Sequence, residues 1–541
     1  MDTKNHQDPK EEPKEWTIMV YMAGGRDVSD EARDSLLRMK LIGTTDNFNV
    51  IAQFDSGIEG DSTKIYKLMP FENAEKIRGL LKRAYFEAPT SSDLFNSTVM
   101  ALSYENSQSL LDALDIEMKK RLEDKLLNRE EIEKLKIGPN RMKKLVVDSI
   151  LEGDVIKDDL GQTDAANPNV LKDFIDWTMR KYPAKKKMVV IWGHGSGLSI
   201  AWDFPPRYAP SIVTYAPDAL TLHGLGQAFK DLECGTIDIL GFNSCLMGTI
   251  DVSYELRVPV TYCVASEGLT PRTSWPYHRI LEELGDTPDM DAETFAHKIV
   301  EEYISYYRHS VTQTESQRRK TIGLGKVVDL GKSVDLGKVV DLGKSVDLGK
   351  VVDLGKSVDL AKVFNLGPEE ELGRKGIDMS AFNVKESNKV VDAMVPLVKL
   401  LRQKLQYLDR ATFAAVLAAH AASQSYFNRD FTDLSDFCRT LSNSSSDTEI
   451  QTLCHGVMKA IEKSCPCSKH VGDDVKNSKG LSVFFPWGEW GDLKVLEKYR
   501  HGMLEFTKET HWESFLETYR GLVYQLEEKS GHFADAFSQP A

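Results

Sequence analysis

Short apolar runs of strand character alternate with helix-like stretches along the first half of the chain. The runs occupy residues 16–22, 49–54, 188–192, 237–242 and 260–265. A helical stretch through Met39 separates the first two runs, and a second helix at residues 168–181 precedes the third. Strand, helix and strand in this order are typical of βαβ units with parallel strands. The pattern therefore predicts an α/β fold in which helices cover both faces of a mostly parallel sheet.

A six-residue repeat interrupts this pattern in the second half of the chain. Residues 324–365 alternate Leu-Gly-Lys-Val-Val-Asp with Leu-Gly-Lys-Ser-Val-Asp. This register suits the hexad of a left-handed parallel β-helix, but the repeat gives only about two coils, fewer than the three or so units that bury a core. We interpret the repeat as an expanded loop from which one copy serves as a strand. A small β-solenoid and a binding segment are the alternatives.

Two regions outside the βαβ pattern are predicted to be helical. Residues 72–150 are charged, and one helix face is marked by Leu111, Leu114, Met118, Leu122 and Leu126. This stretch is predicted to be an inserted helical pair, with a lid or partner-binding arm as the alternative. After Gly367 the chain again becomes helical, with one late strand at residues 481–485. The sequence therefore predicts a second, mainly helical domain near the C-terminus.

Composition and charge exclude several classes of function. The net charge of −14 argues against a nucleic-acid partner, which would need a basic face. No apolar run approaches the ~20 residues that a membrane-spanning helix needs. The first fifteen residues are charged and lack the apolar segment of a secretory signal, so a cytoplasmic protein is expected. The seven cysteines are irregularly spaced and do not indicate a disulfide framework.

Two glycine-rich loops carry the candidate chemistry. Trp-Gly-His-Gly-Ser-Gly at residues 192–197 and Gly-Phe-Asn-Ser-Cys-Leu-Met-Gly at residues 241–248 each follow a predicted strand. Parallel strands end at one edge of the sheet, where α/β proteins place their binding crevice, so His194 and Cys245 are expected there. An imidazole can take the proton of a thiol and later protonate the leaving amine. The amides of Gly195 and Cys245 are candidate oxyanion-hole donors.

Other interpretations of these residues stay open at this point. A lone cysteine is usually a small buried hydrophobe, and a lone histidine is usually a hydrogen-bonded polar group. Ser196 and Ser199 do not fit the G-x-S-x-G pattern of a serine hydrolase. A zinc site could be sought among Cys454, His455, Cys465, Cys467 and His470. Their Cys-Pro-Cys step lacks the usual C-x₂-C spacing, and the sequence predicts neither a metal nor a cofactor.

The sequence resembles the clostripain-like cysteine peptidases, which are related to caspases and gingipains. Besides the two loops, the matching segments are residues 16–22, 160–163, 173–177, 182–183, 264–268, 275–277 and 480–486. They run in order along nearly the whole chain and leave out residues 1–14, the insert and most of the hexad repeat. The resemblance implies a caspase-like α/β/α sandwich with a helical C-terminal domain. It also implies that His194 and Cys245 form a catalytic dyad.

The resemblance further implies a substrate pocket and an activation site. Relatives typically cleave after Arg or Lys and hold that side chain with an aspartate two residues before the cysteine. Asn243 stands at this position, and an amide lacks the charge that a buried cation needs. Glu267 is expected near the same pocket as a substitute charge. Relatives also activate by cutting a loop between the catalytic residues, which predicts self-cleavage at Arg207–Tyr208 in the loop at residues 198–219.

Together these observations predict four segments and one preferred function. The segments are a disordered N-terminus (1–14), a caspase-like catalytic domain (15–315), a hexapeptide-repeat segment (316–367) and a mainly helical C-terminal domain (368–530). The expected function is that of a cysteine endopeptidase acting on peptides or proteins. Calcium dependence occurs in some relatives, but no EF-hand-like ligand spacing is present. The alternative is a catalytically weak or inactive homologue that serves as a binding or scaffold protein, and the sequence does not indicate an oligomeric state.

Overall fold

The computed structural model describes most of the chain between residues 13 and 530. The described residues are 13–25, 28–58, 60–71, 144, 147–148, 150–201, 219–323, 376–426, 429–486, 499 and 504–530. The predictions for the N-terminus, most of the helical insert, the hexad repeat and Arg207 lie outside these residues. The chain divides into two compact units, one of residues 1–70, 155–307 and 376–541, the other of residues 71–154 and 308–375. The sheet and the candidate site belong to the first unit.

A nine-stranded sheet forms the centre of the first unit. The described strands are β1 (Lys14–Ala23), β2 (Phe48–Asp55), β3 (Lys64–Lys67), β4 (Val155–Lys157), β5 (Ala184–Trp192), β6 (Ser199–Ile200), β7 (Leu220–Thr221), β8 (Ile237–Asn243), β9 (Val260–Ala265), β10 (Ile377–Asn383), β11 (Ser425–Tyr426), β12 (Phe431–Asp433), β13 (Cys467–Val471) and β14 (Ser482–Phe484). The order in the sheet is β13-β10-β9-β8-β5-β1-β2-β3-β4. The five strands from β9 to β2 are parallel, as predicted. Two antiparallel strands follow at each edge.

Helices flank this sheet, and the two that the sequence predicts, one through Met39 and one at residues 168–181, are among them. The described helices are α1 (Ser29–Lys40), α2 (Pro168–Lys181), α3 (Leu222–Lys230), α4 (Ile250–Glu255), α5 (Tyr277–Asp286), α6 (Ala292–Gly323), α7 (Ser387–Gln406), α8 (Arg410–Ala422), α9 (Leu434–Ser444), α10 (Thr448–Ser464), α11 (Glu505–Thr510) and α12 (Trp512–Ser530). The start of α2 follows from its sequence, because Pro168 suits the first helical position and the Asn167 side chain accepts a hydrogen bond from the amide of Asn169. The predicted bounds of α2, 168–181, are those observed.

Side chains of the central strands alternate between two helical layers. Tyr21 of β1 packs in a core that contains Phe174 of α2, with ring centroids 6.1 Å apart. Trp192 of β5 pairs with the next residue of β1 and therefore points to the other face. There its indole nitrogen donates a hydrogen bond to the Ser35 hydroxyl of α1 at 3.2 Å. The sheet thus has helices on both faces, which is the predicted α/β/α sandwich.

The C-terminal region shares the main sheet, contrary to the expectation of a separate domain beginning at residue 368. Its described residues form helices α7 to α12 and a small sheet of order β11-β12-β14. They also supply β10 and β13, which extend the main sheet beyond β9. One continuous hydrophobic core joins these helices to the central strands, and both parts belong to the same compact unit. The predicted helical character is therefore observed, but the predicted boundary does not separate two cores.

Candidate active site

The two candidate loops leave the sheet from neighbouring parallel strands. The last residue of β5, Trp192, is paired with the last residue of β8, Asn243. The amide of Gly193 continues this pairing by donating to the carbonyl oxygen of Asn243 at 3.3 Å. His194 and Cys245 each follow their strand by two residues, so the fold brings the two loops to the same point of the carboxyl edge. This is the placement that the strand pattern predicted.

Glycines allow the loops to touch through their backbones. A Cβ atom on Gly195 would lie 2.6 Å from the carbonyl oxygen of Cys245 and 3.0 Å from the Cβ of Ser244, closer than side chains approach. Gly193 has a φ of 143°, and a Cβ atom on it would lie 2.7 Å from the carbonyl oxygen of Ala23. Residues with a side chain would separate these segments. Gly195 thus lets the histidine loop lie against the cysteine loop, and Gly193 lets it pass close to the end of β1.

A short hairpin fixes the backbone on either side of Gly195. The amide of Ala201 donates to the carbonyl oxygen of His194 at 3.2 Å, and the amide of Ser196 donates to that of Ser199 at 3.0 Å. These two hydrogen bonds lie on either side of the antiparallel pair Gly195 and Ile200. The amide of Gly195 is therefore not used in the backbone pairing of this hairpin. His194 itself is half-buried, and the fold leaves part of it accessible.

The serines of this hairpin are not arranged as nucleophiles. Ser196 and Ser199 are buried, and their hydroxyls hydrogen bond to each other at 2.9 Å. The two hydroxyls thus face each other in the interior and not the solvent at the sheet edge. The geometry therefore favours the cysteine over the serines as the reactive side chain.

Cys245 is the only partly exposed residue among residues 241–250, all of which are described. Its sulfur accepts a hydrogen bond from the amide of Thr270 at 3.3 Å, and the Thr270 hydroxyl donates to the carbonyl oxygen of Ser244 at 3.0 Å. The next residue, Leu246, is buried with a φ of 64°, a strained conformation for a leucine. The loop after β9 therefore supports the cysteine directly, and the turn at Leu246 directs Cys245 outward.

Burial raises the pKa of the Cys245 thiol, while the hydrogen bond from the Thr270 amide lowers it in part. Burial disfavours the charged thiolate because the surrounding groups solvate it less well than water does. The thiol form is therefore favoured until a base removes its proton. This requirement gives a chemical role to an imidazole in the adjacent loop.

Asn243 lies in a buried network of neutral groups. Its amide nitrogen donates to the hydroxyl of Ser274 and, at 3.1 Å, to that of Tyr277. The indole of Trp192 donates to the same Ser274 hydroxyl at 2.8 Å. Behind this network the buried Arg38 guanidinium donates to the carbonyl oxygen of Thr273 at 2.7 Å. The groups around Asn243 are therefore neutral hydroxyls with a cation nearby, and they offer no negative charge.

The hydrogen bonds of Glu267 run to residues of the C-terminal region, and the expectation that it supplies a substitute charge near Asn243 stays a prediction. Glu267 is fully buried, and its carboxyl group accepts hydrogen bonds from the amide of Gly480 at 2.8 Å and from the hydroxyl of Tyr426 at 3.2 Å. Burial, reinforced by the nearby Asp433, raises its pKa well above the usual range. The Glu267 side chain thus contacts the C-terminal region, whereas the Asn243 side chain faces the layer of α1 and α5.

Sequence reasoning missed Asp378, which is buried on β10. Its carboxylate accepts hydrogen bonds from the Ser266 hydroxyl and the amides of Glu267 and Gly268 at 2.7–3.0 Å. The strand pattern gave no signal for it, because Asp378 lies far along the chain from Cys245 and only the antiparallel pairing of β10 with β9 brings it close. In the sequence, the Ser-Glu-Gly segment that it holds is marked only by the family resemblance at residues 264–268.

Metal and membrane interpretations find no support in the described part of the chain. No group of three or more His, Cys, Asp or Glu side chains there is arranged to hold a metal ion, and this includes the cysteines and histidines of residues 454–470. None of the helices described above combines the length and apolar composition that crossing a membrane requires. Arg207, the expected cleavage site, lies outside the described residues.

Comparisons with known proteins place this chain in a family and identify its fold. The model of the clostripain family, peptidase family C11, matches residues 20–519. Clostripain of Hathewaya histolytica is 31% identical over 107 residues, which span 18% of this chain and only 19% of clostripain's own length. The structure of an inactive zymogen C11 protease from Parabacteroides distasonis has a TM-score of 0.51 at 12% identity, covering 92% of this chain and 99% of that one.

A second solved structure gives a similar result. A secreted C11 cysteine protease from Bacteroides thetaiotaomicron, in complex with an irreversible peptide inhibitor, has a TM-score of 0.50 at 13% identity over 92% of this chain and 99% of that one. At such low identity these two structures support the shared caspase-like fold alone. The family model covers nearly the whole chain, and the chain therefore belongs to the clostripain family of peptidases.

Proposed function

We propose that this chain is a cysteine endopeptidase in which Cys245 is the nucleophile and His194 is the general acid and base. One observation carries the proposal: the loops after β5 and β8 meet at the carboxyl edge of the sheet, with Gly195 against the backbone of Cys245. Membership of a peptidase family supports it. The substrates are then peptides or proteins, and the proposal includes no cofactor.

The proposed reaction begins with transfer of the Cys245 thiol proton to the imidazole of His194. The thiolate attacks the carbonyl carbon of the scissile bond, and the amides of Gly195 and Cys245 donate hydrogen bonds to the resulting oxyanion. The imidazolium then protonates the leaving amine, which departs and leaves a thioester on Cys245. A water molecule, deprotonated by the same imidazole, hydrolyses the thioester and restores the thiol.

The proposed pocket for the residue before the scissile bond contains Asn243. In clostripain-like relatives, an aspartate at this position favours Arg or Lys. Here the side chain donates its hydrogen bonds to the neutral hydroxyls of Ser274 and Tyr277. We therefore propose that this chain accepts a basic residue without a paired charge, and that its preference for Arg and Lys is weaker than that of an aspartate variant.

We also propose self-cleavage at Arg207–Tyr208. The bond itself lies outside the described residues, but both ends of its loop are described. Strands β6 and β7 pair antiparallel through Ser199 and Thr221, and the amide of Ala201 contacts the His194 carbonyl oxygen. A cut between these strands would leave the pairing of β6 with β7 beside the histidine loop in place. The Parabacteroides distasonis relative was solved as an inactive zymogen, which agrees with activation by processing.

The direct test compares the wild type with Cys245→Ala and His194→Ala on denaturing gels and with a peptide library. The wild type should yield two fragments and cleave peptides, while Cys245→Ala should stay intact and inactive. His194→Ala should lose about 10²–10⁴-fold in kcat, the range for general acid–base catalysis. Cys234→Ala is the matched control, because Cys234 is the other partly exposed cysteine among the described residues and lies away from the site.

The outcomes test the nucleophile, the self-cleavage and the peptidase activity separately. Peptide cleavage by Cys245→Ala would exclude this cysteine as the nucleophile. A fully active wild type with an intact chain would exclude an obligatory cut at Arg207. A folded wild type that cleaves no member of the library would favour the binding or scaffold alternative.

A further inference from the structure

Asp378 is a buried carboxylate that holds one short backbone segment from a distant strand. Only 1% of it is exposed. One oxygen accepts hydrogen bonds from the Ser266 hydroxyl at 3.0 Å and the Gly268 amide at 3.0 Å, and the other accepts the Glu267 amide at 2.7 Å. Gly268 passes so close that a Cβ atom there would lie 2.8 Å from the same carboxylate. Three donors on consecutive residues are thus fixed by one side chain.

The segment that Asp378 holds is the support of the cysteine loop. The amide of Leu246 donates to the carbonyl oxygen of Gly268 at 2.9 Å, and the amide of Gly248 donates to that of Ser266 at 2.8 Å. At its far end the same segment supplies the Thr270 amide that contacts the Cys245 sulfur at 3.3 Å. Residues 266–270 therefore connect Asp378 on one side to Cys245 and the residues that follow it on the other.

We propose that Asp378 is a positioning residue for Cys245, acting through residues 266–270 without touching the substrate. This inference rests on the proposed role of Cys245 as nucleophile. The physical reason is that hydrogen bonds to an ionised acceptor are shorter and stronger than neutral ones, so one carboxylate stiffens three consecutive donors at once. A displacement of about 1 Å at a reacting group costs about 10²-fold in rate, so a small relaxation of this segment is enough to matter.

Asp378→Asn tests the proposal because it keeps the size of the side chain and removes the charge and one acceptor. We expect kcat to fall at least about tenfold while KM stays within about twofold, because the substrate contacts are unchanged. The rate of Cys245 alkylation by iodoacetamide, measured against pH, should shift to higher pH because the Thr270 amide no longer supports the thiolate in the same place. A merely structural role would move neither quantity in the protein that remains folded.

Asp176→Asn is the matched control. Asp176 is also buried, and its carboxylate accepts the amides of Glu233 and Cys234 at 2.9 and 3.3 Å, away from the candidate site. Both variants should lose thermal stability to a similar degree, but only Asp378→Asn should lose kcat. Wild-type kcat and an unchanged alkylation profile in Asp378→Asn would overturn the proposal, as would an equal loss of kcat in Asp176→Asn.

A second variant covers the case in which Asp378→Asn does not fold. Ser266→Ala removes one of the three donors and leaves both amides, so a smaller loss of kcat with the same direction of alkylation shift is expected. Wild-type values for this variant would then count against the proposal. The alkylation rate of Cys245 is measured without any substrate. A chain that cleaves no peptide, yet shows the expected alkylation shift, would refute the proposed function and retain the positioning role of Asp378.

Discussion

Replacing Gly195 with alanine perturbs the contact on which the proposed site depends. The new Cβ atom would lie 2.6 Å from the Cys245 carbonyl oxygen, whereas a carbon and a carbonyl oxygen approach to about 3.3 Å at the closest. The two loops must therefore separate by about 0.7 Å. Because a displacement of about 1 Å between reacting groups costs about 10²-fold in rate, kcat/KM should fall by about two orders of magnitude, or about 2.7 kcal/mol.

The assay measures kcat/KM with the best peptide from the library, together with the midpoint of thermal unfolding. Gly195→Ala should unfold within a few degrees of the wild type, since overpacking one site costs about 1–3 kcal/mol. Gly285→Ala is the control, because a Cβ atom at that position in α5 has no neighbour within 4 Å. It should match the wild type in activity. A kcat/KM of Gly195→Ala within a few-fold of the wild type would show that the contact between the two loops is not needed for activity.

Two further predictions concern charge. Asn243→Asp should raise kcat/KM for peptides with Arg or Lys before the scissile bond by at least about tenfold over the wild type, since it supplies a buried cation with a partner; an unchanged profile would place Asn243 outside the pocket. Burial raises the pKa of Asp251 to about 7, well above its value near 3.9 in the unfolded chain. Between about pH 4 and pH 7 the unfolded chain has released this proton while the folded state keeps it, so stability falls as pH rises through this range and the loss is complete above about pH 7. Asp251→Asn should thus be more stable than the wild type at pH 8, with the difference shrinking by pH 5.5; equal melting temperatures at both pH values would contradict this.

The central strands could be predicted from sequence because they are buried on both faces. Residues 237–242 and 260–265 were expected as strands, and β8 and β9 occupy Ile237–Asn243 and Val260–Ala265. The edge strands could not be predicted in the same way. Strand β3, next to the edge strand β4, contains two lysines in four residues, and the edge strand β13 reads Cys-Ser-Lys-His-Val. Short strands at or near an edge tolerate polar side chains. Apolar patterning marks burial, and these strands are only partly buried.

The candidate site was predictable only as far as it depends on strand ends. His194 and Cys245 follow central strands, so parallel topology places their loops at the same edge of the sheet. The position of Glu267 could not be read in this way, because the residues just beyond β9 point to whichever neighbour the tertiary fold supplies. The contribution of Asp378 depends on a strand that joins the sheet antiparallel from the C-terminal region. Long-range pairing of this kind leaves no local pattern in a single sequence.

The Cys245–His194 dyad is tested directly by selective labelling with a thiol-reactive peptide electrophile, read by peptide mass spectrometry. Cys245 and Cys234 are the partly exposed cysteines of the described chain, and burial raises the pKa of Cys234 to about 11. We expect the probe to modify Cys245 and to leave Cys234 unmodified in the folded protein, and we expect His194→Ala to abolish this selectivity. Equal labelling of the two thiols, or selective labelling of Cys245 that persists in His194→Ala, would contradict the assignment of a Cys245–His194 dyad.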